Sequence, residues 1–154
     1  MDCNLASAGG HHNIIVAVDY FMKWVEAIPT VKSDGEETTH FIFNQIIIRF
    51  GILRELVTDH GRNFQNRMME ELASKLGYKK EHSSSYHPQV NGQVEAVNKS
   101  LESILQRTIA QSKMNWHIML YPSLWAYRTT VNISTSFSPY QLIHGVKSVF
   151  SVEC

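Results

Sequence analysis

The chain has 154 residues, 44% of them hydrophobic and 18% charged, which is enough for one domain with a sizeable core and excludes a disordered or collagen-like chain. Fourteen basic residues balance fourteen acidic ones, so the overall charge of a strongly basic nucleic-acid binder is missing. Two cysteines, Cys3 and Cys154, stand at opposite ends and form neither a disulfide framework nor a paired-cysteine zinc site.

The longest apolar run in the N-terminal part, Ile14 to Val18, stops at Asp19, far short of the ~20 residues that span a bilayer. The start, Met1-Asp2-Cys3-Asn4-Leu5-Ala6, lacks the basic and apolar regions of a secretion signal. An intracellular protein without membrane association is expected. Charge is unevenly distributed: residues 1–77 hold seven Lys/Arg and ten Asp/Glu, residues 78–154 seven and four. The positive excess therefore lies in the second half.

In chain order, the first elements read as strands: Asp2 to Ala6, a Gly9-Gly10 turn, Asn13 to Tyr20, and Trp24 to Ile28 closed by Pro29. Three short strands in succession make an antiparallel meander. Ser33 followed by Glu36 has the form of a capping box, and Thr38, Phe41, Ile42, Gln45 and Ile48 continue at helical spacing until Gly51. Leu53 to Thr58 reads as a strand ending at Asp59, Asn66 to Leu76 as a helix stopped by Gly77, and Tyr78 to His82 as another strand. Residues 83–92, rich in turn formers, read as a mobile loop.

From Gln93 the pattern is that of a long helix whose inward face is Val94, Val97, Leu101, Ile104, Leu105, Thr108 and Ile109. Trp116 to Arg128 reads as a further helix, kinked or restarted at Pro122, and Ser138-Pro139 opens a short one toward Gly145. The order of elements predicts an α/β domain with a five-stranded mixed sheet covered by helices on both faces. No internal repeat or linker divides residues 1–154.

Three acids stand out by position: Asp2 in the first strand, Asp59 at the end of the fourth, and Glu95 in the first turn of the long helix. Carboxylates converging from two strands and a helix suit hard divalent cations, which prefer oxygen ligands. Of the eight histidines, His11-His12 reads as a solvated turn, because a structural zinc site needs four closely spaced ligands. Trp24, Trp116 and Trp125 read as packing aromatics.

The strings Met1-Asp2-Cys3, Val16-Ala17-Val18-Asp19-Tyr20-Phe21-Met22-Lys23-Trp24, Val57-Thr58-Asp59-His60-Gly61-Arg62-Asn63-Phe64 and Tyr86-His87-Pro88-Gln89-Val90-Asn91-Gly92-Gln93-Val94-Glu95 resemble the catalytic core of retroviral-type integrases, above all those of plant gypsy-type LTR retrotransposons. That family carries two aspartates and a glutamate with 35 residues between the latter two, and 35 residues separate Asp59 from Glu95. Leu124-Trp125-Ala126-Tyr127-Arg128 and Phe137-Ser138-Pro139-Tyr140-Gln141-Leu142-Ile143-His144-Gly145 resemble the family as well.

The resemblance implies a ribonuclease-H-like fold and metal-dependent polynucleotidyl transfer, with Asp2, Asp59 and Glu95 as catalytic ligands of two Mg²⁺ or Mn²⁺ ions. It implies Tyr86, Asn91 and Lys99 as contacts to DNA, element ends and target DNA as partners, a homo-oligomer, and a nuclear location. The family's N-terminal zinc module and C-terminal module have no counterpart in this sequence. Asp19 and His60 are possible borders of the site, with His87 a further polar neighbour. With the hairpin tip between Gly10 and His11, Asp2 and Asp19 pair directly across and share a face. Arg62 and Glu102 depart from the family pattern, and an acid at 102 repels phosphate. The alternative expectation is a catalytically inactive integrase remnant, serving if at all as a nucleic-acid or protein interaction module.

Overall fold

The computed structural model describes residues 7–59, 61–82, 88–109 and 115–149, with only the backbone of 88–91. The expected first strand, Asp2 to Ala6, lies outside them, as do His60 and Tyr86. Among the described residues there are four strands in two ladders, in place of one five-stranded sheet. β1 (Asn13–Val18) pairs antiparallel with β2 (Val25–Thr30), and β3 (Glu55–Thr58) pairs parallel with β4 (Lys79–His82).

A three-residue turn precedes β1. The Ser7 N–H donates to His11 O at 3.0 Å and the Gly10 N–H to Ser7 O at 2.9 Å, while Gly10 takes φ +74°, a left-handed conformation that glycine adopts without Cβ strain. The turn thus contains the expected Gly9-Gly10, but it closes on Ser7 and His11. A tip between Gly10 and His11, on which the direct Asp2–Asp19 pairing depended, is not formed. Pro29 does not end β2. It faces Ile14 inside the ladder. Since Asp19 N–H bonds Trp24 O, alternation makes Ile14–Pro29 a non-hydrogen-bonded pair, where a missing N–H costs nothing against β1.

Between the ladders lies a helical run: α1 (Gly35–Phe41), a π-helical segment Ile42–Ile47, and a last turn α2 (Ile48–Phe50) ended by Gly51. The cap is Asp34, whose side chain accepts from Glu37 N–H, rather than the expected Ser33. The π segment also corrects the expected face. Residues five apart align there, so Ile42 and Ile47 are buried together and Ile48 is turned out, 63% exposed.

α3 (Arg67–Leu76) crosses from β3 to β4, capped by the Asn66 side chain and stopped by Gly77 in the left-handed conformation, as its sequence predicts. α4 (Pro88–Thr108) begins within the segment read as a loop, so residues 88–92 are helical. Proline at the first helical position gives up no bond, because the first N–H groups of a helix have no intrahelical acceptor. α5 (Trp116–Thr129) runs continuously through Pro122, and α6 (Pro139–His144) opens on a complete Ser138–Gln141 capping box.

The alternation of β1 divides the core. Ile14 joins Val25 and Ala27 under Val97, Leu101 and Leu105 of α4 and Trp116, Leu120, Leu124 and Tyr127 of α5. Ile15 faces the other way, into Phe41, Ile42, Ile47, Met69, Ala73 and Tyr78. Helices thus cover both faces, as expected. Of the three tryptophans, Trp24 and Trp116 are buried, but Trp125 is exposed and packs edge-on against Tyr140. No helix among the described residues is long and apolar enough to cross a membrane.

Candidate active site

Asp59 follows the last residue of β3, so the strand delivers its carboxylate at the C-terminal edge of the parallel pair. Thr58 beneath it is buried, its hydroxyl 3.4 Å from His82 Nδ1 on the neighbouring strand. Asp59 itself is exposed, and its Oδ1 accepts from the Gly61 N–H at 2.9 Å. That bond orients the group with a neutral donor. No basic side chain among the described residues pairs with it.

The turn after Asp59 is pinned to the start of α1. Asn66 Nδ2 donates to Asn63 O at 2.8 Å and to Gly35 O at 3.4 Å, and Asn63 Nδ2 reaches Ser33 Oγ at 3.4 Å. Glycine at 61 leaves room for the carboxylate, because a Cβ would stand 2.5 Å from Asn63 Oδ1 and 2.8 Å from Asp59 Oδ1 and would displace those side-chain ends. Asn66 was read only as the start of a helix, and Gly61 and Asn63 are supports that sequence reasoning did not single out. Their only local signal was the Asp-His-Gly-Arg-Asn run, rich in turn formers.

Glu95 projects from α4 into solvent. Lys99 lies one turn on, its Nζ 4.0 Å from Glu95 Oε2, with the side chains 79% and 75% exposed. So loose and exposed a pair is worth about 0–1 kcal/mol, and both charges remain open to a ligand. Asn98, also one turn from Glu95, keeps its amide oxygen buried without a partner among the described residues. Glu102 is exposed and accepts from Gln106 Nε2 at 3.2 Å.

Of the remaining sequence-predicted site residues, Asp2, His60, Tyr86 and His87 lie outside the described residues, and of Asn91 only the helical backbone is described. Among the described residues no three His, Cys, Asp or Glu side chains gather as a metal site would require. Asp59 and Glu95 therefore stand as two oxygen donors on separate elements. Asp19 holds the β1–β2 turn closed, its Oδ1 accepting from Phe21 N–H at 2.9 Å and Met22 N–H at 2.7 Å. That turn meets the start of α4 where Gln93 Nε2 donates to Tyr20 O at 2.9 Å. His11, read as solvated, is half-buried, bonded to Ser7 Oγ and stacked on His117 with ring centroids 4.9 Å apart.

The mixed α/β fold, with helices on both faces, matches the ribonuclease-H-like architecture of an integrase catalytic core. The solved catalytic core domain of BIV integrase is similar to this chain, with a TM-score of 0.74 and 25% identity, over 86% of this chain and 85% of that one. The integrase core domain family matches residues 2–88, and the chain belongs to that family. Among similar curated proteins, the Pol polyprotein of Radiation murine leukemia virus (strain Kaplan) is 31% identical over 137 residues, which is 88% of this chain and 23% of the polyprotein. The Gag-Pol polyprotein of Avian reticuloendotheliosis virus is 27% identical over 143 residues, 93% of this chain and 12% of the polyprotein. The chain thus spans less than a quarter of the length of these relatives. Matches of that coverage necessarily span both Asp59 and Glu95.

Proposed function

We propose that this chain is the catalytic core of a gypsy-type LTR-retrotransposon integrase, and that it performs metal-dependent polynucleotidyl transfer: processing of DNA 3′ ends and their transfer into target DNA. One observation carries the reading. In a member of the integrase core domain family, the exposed Asp59 carboxylate is aimed at a strand edge by the Gly61 N–H, with 35 residues between it and an exposed Glu95 on α4.

The donor set fits two Mg²⁺ or Mn²⁺ ions: carboxylate oxygens without thiolates, and on Asp59 no cation to displace among the described residues. Asp2, Asp59 and Glu95 would hold them. When bound, such ions supply Lewis acidity toward a phosphodiester and lower the pKa of a coordinated water or DNA 3′-hydroxyl. The residues of the chain do the positioning. Asp59 is held by its own turn, Glu95 by a helix anchored through Val97 and Leu101, and Lys99 offsets phosphate charge one turn away. Attack in line by water or a 3′-hydroxyl leaves no covalent enzyme intermediate, so no nucleophilic Ser or Cys is needed. DNA ends and target DNA are the partners, with Tyr86, Asn91 and Lys99 at the contact. The working form is a homo-oligomer in the nucleus.

The test uses a labelled DNA-end duplex with Mg²⁺ or Mn²⁺. Asp59→Asn and Glu95→Gln should each lower cleavage or strand transfer at least about a hundredfold while leaving the fold intact. Metal should raise the melting temperature of the native chain and do so less in Glu95→Gln, because crowded carboxylates repel until cations fill the site. No cleavage, together with identical melting temperatures with and without metal in both proteins, would overturn the enzyme reading.

A further inference from the structure

Three consecutive large apolar residues, Tyr20, Phe21 and Met22, are exposed at the tip of the β1–β2 hairpin, with Phe21 81% exposed. Such a run at the tip of a turn marks a contact surface. We propose that this tip is a stacking platform for an unpaired nucleotide at the end of a DNA duplex engaged by α4. The inference rests on the DNA-processing reading above.

The tip is rigidly built for the purpose. Asp19 accepts from two successive N–H groups, Phe21 and Met22, and its own N–H donates to Trp24 O at 2.8 Å. Lys23 N–H returns to Asp19 O at 3.0 Å, with Lys23 in the left-handed region at φ 59°. Lys23 Nζ donates to Tyr20 O at 2.7 Å and lies 4.9 Å from the Tyr20 ring centre. Tyr20 and Phe21 meet edge to face at 5.3 Å. One aromatic face is thus presented to solvent on a backbone already ordered, with a cation beside it.

Location and size select the occupant. Gln93 Nε2 bonds Tyr20 O, so the tip is tied to the first turns of α4, the helix that carries Glu95 and Lys99. A patch of three side chains is far below the ~800 Å² per partner of a stable protein interface, but it matches one base. A base inside the duplex has both faces covered by its neighbours and a blunt end frees only one face, locked in its pair, whereas an unpaired nucleotide can turn its face onto a side chain at the hairpin tip.

The experiment measures binding of the full chain to two probes: a blunt DNA duplex, and the same duplex ending in unpaired nucleotides that include 2-aminopurine. The native chain should bind the second probe at least about fivefold more tightly and quench its fluorescence. Phe21→Ala should abolish both differences at an unchanged melting temperature, Phe21→Trp should keep them, and Lys99→Ala should weaken both probes alike. If Phe21→Ala behaves as the native chain while Lys99→Ala weakens both probes, the platform is refuted and the DNA reading stands. Failure of the native chain to bind either probe overturns both. A change in oligomeric mass in Phe21→Ala, with DNA binding intact, assigns the tip to protein contact and overturns the proposal.

Discussion

At the scale of a residue, the Asp59 carboxylate is most sensitive to a single methyl group at Gly61. The same backbone N–H that orients Asp59 Oδ1 sits on a residue whose Cβ would press on that oxygen and on Asn63 Oδ1. Asp59 Oδ1 cannot retreat without losing its bond to the Gly61 N–H, and the Asn63 amide is held more loosely, through Nδ2 to Ser33 Oγ at 3.4 Å. Gly61→Ala should therefore cost only about 1 kcal/mol of stability, as a solvent-facing turn relaxes, while weakening the metal-dependent rise in melting temperature about tenfold in apparent affinity. Thermal melts across a Mn²⁺ titration measure both. An unchanged metal response would show that the Gly61 bond does not set the carboxylate's position.

At the scale of elements, α5 is fastened to β2 through a buried acid. Glu26 Oε2 meets Arg128 Nη2 at 2.8 Å, while Oε1 meets Arg49 Nη1 at 2.8 Å and accepts from Trp24 Nε1 at 2.8 Å. Arg128 also donates to Val25 O through Nε and Nη2 and lies 4.4 Å from the Trp24 ring centre. Burial pulls the Arg128 guanidinium below its ordinary pKa, and the charge of Glu26 opposes that pull. Because the acid neutralises two guanidiniums at once, Glu26→Gln should destabilise by about 3–5 kcal/mol. Arg49, 43% exposed, can rehydrate its neighbours when removed, and Arg49→Ala should cost under about 1 kcal/mol. Urea unfolding of the two variants decides it, and equal losses would refute a central role for Glu26.

At the scale of the molecule, each of the two cores buries a tyrosine. Tyr78 packs with Met69, its hydroxyl 3.6 Å from the sulfur, and Tyr127 lies among the α4 and α5 side chains. Burial raises both pKa values above the ordinary tyrosine value of 10.0. The folded chain therefore holds these protons at pH values where the unfolded chain has released them. The resulting stability is fully present below about pH 10 and is lost as pH rises through the folded-state values. The urea midpoint should be flat from neutral pH to about pH 9.5 with respect to these groups and fall beyond pH 10. Tyr78→Phe and Tyr127→Phe together should make that alkaline fall shallower, and an unaltered slope in the double variant would exclude these tyrosines as its cause.

The parts of the protein that the sequence determined by itself depend on residues within a few positions of one another. Asn66 and Gly77 delimit α3, Ser138-Pro139 and Gly145 delimit α6, and the stripe Val97, Leu101, Leu105 orients α4. The placement of Asp59 at a strand end was legible for the same reason, and so was its spacing from Glu95. Tertiary structure decided what depends on distant partners. Pro29 is accommodated because β1 leaves it in a non-hydrogen-bonded pair, and Ile48 is turned out because the π segment buries Ile47 in the core shared with Met69 and Tyr78. Glu26 alternates like a solvent-facing residue in sequence, yet Arg128, 102 positions away, makes its burial tolerable. The contact of Gln93 with Tyr20 likewise spans 73 positions. Local propensities act through one turn of chain, whereas a buried charge or a docked helix takes its partner from whichever surface the completed fold brings beside it.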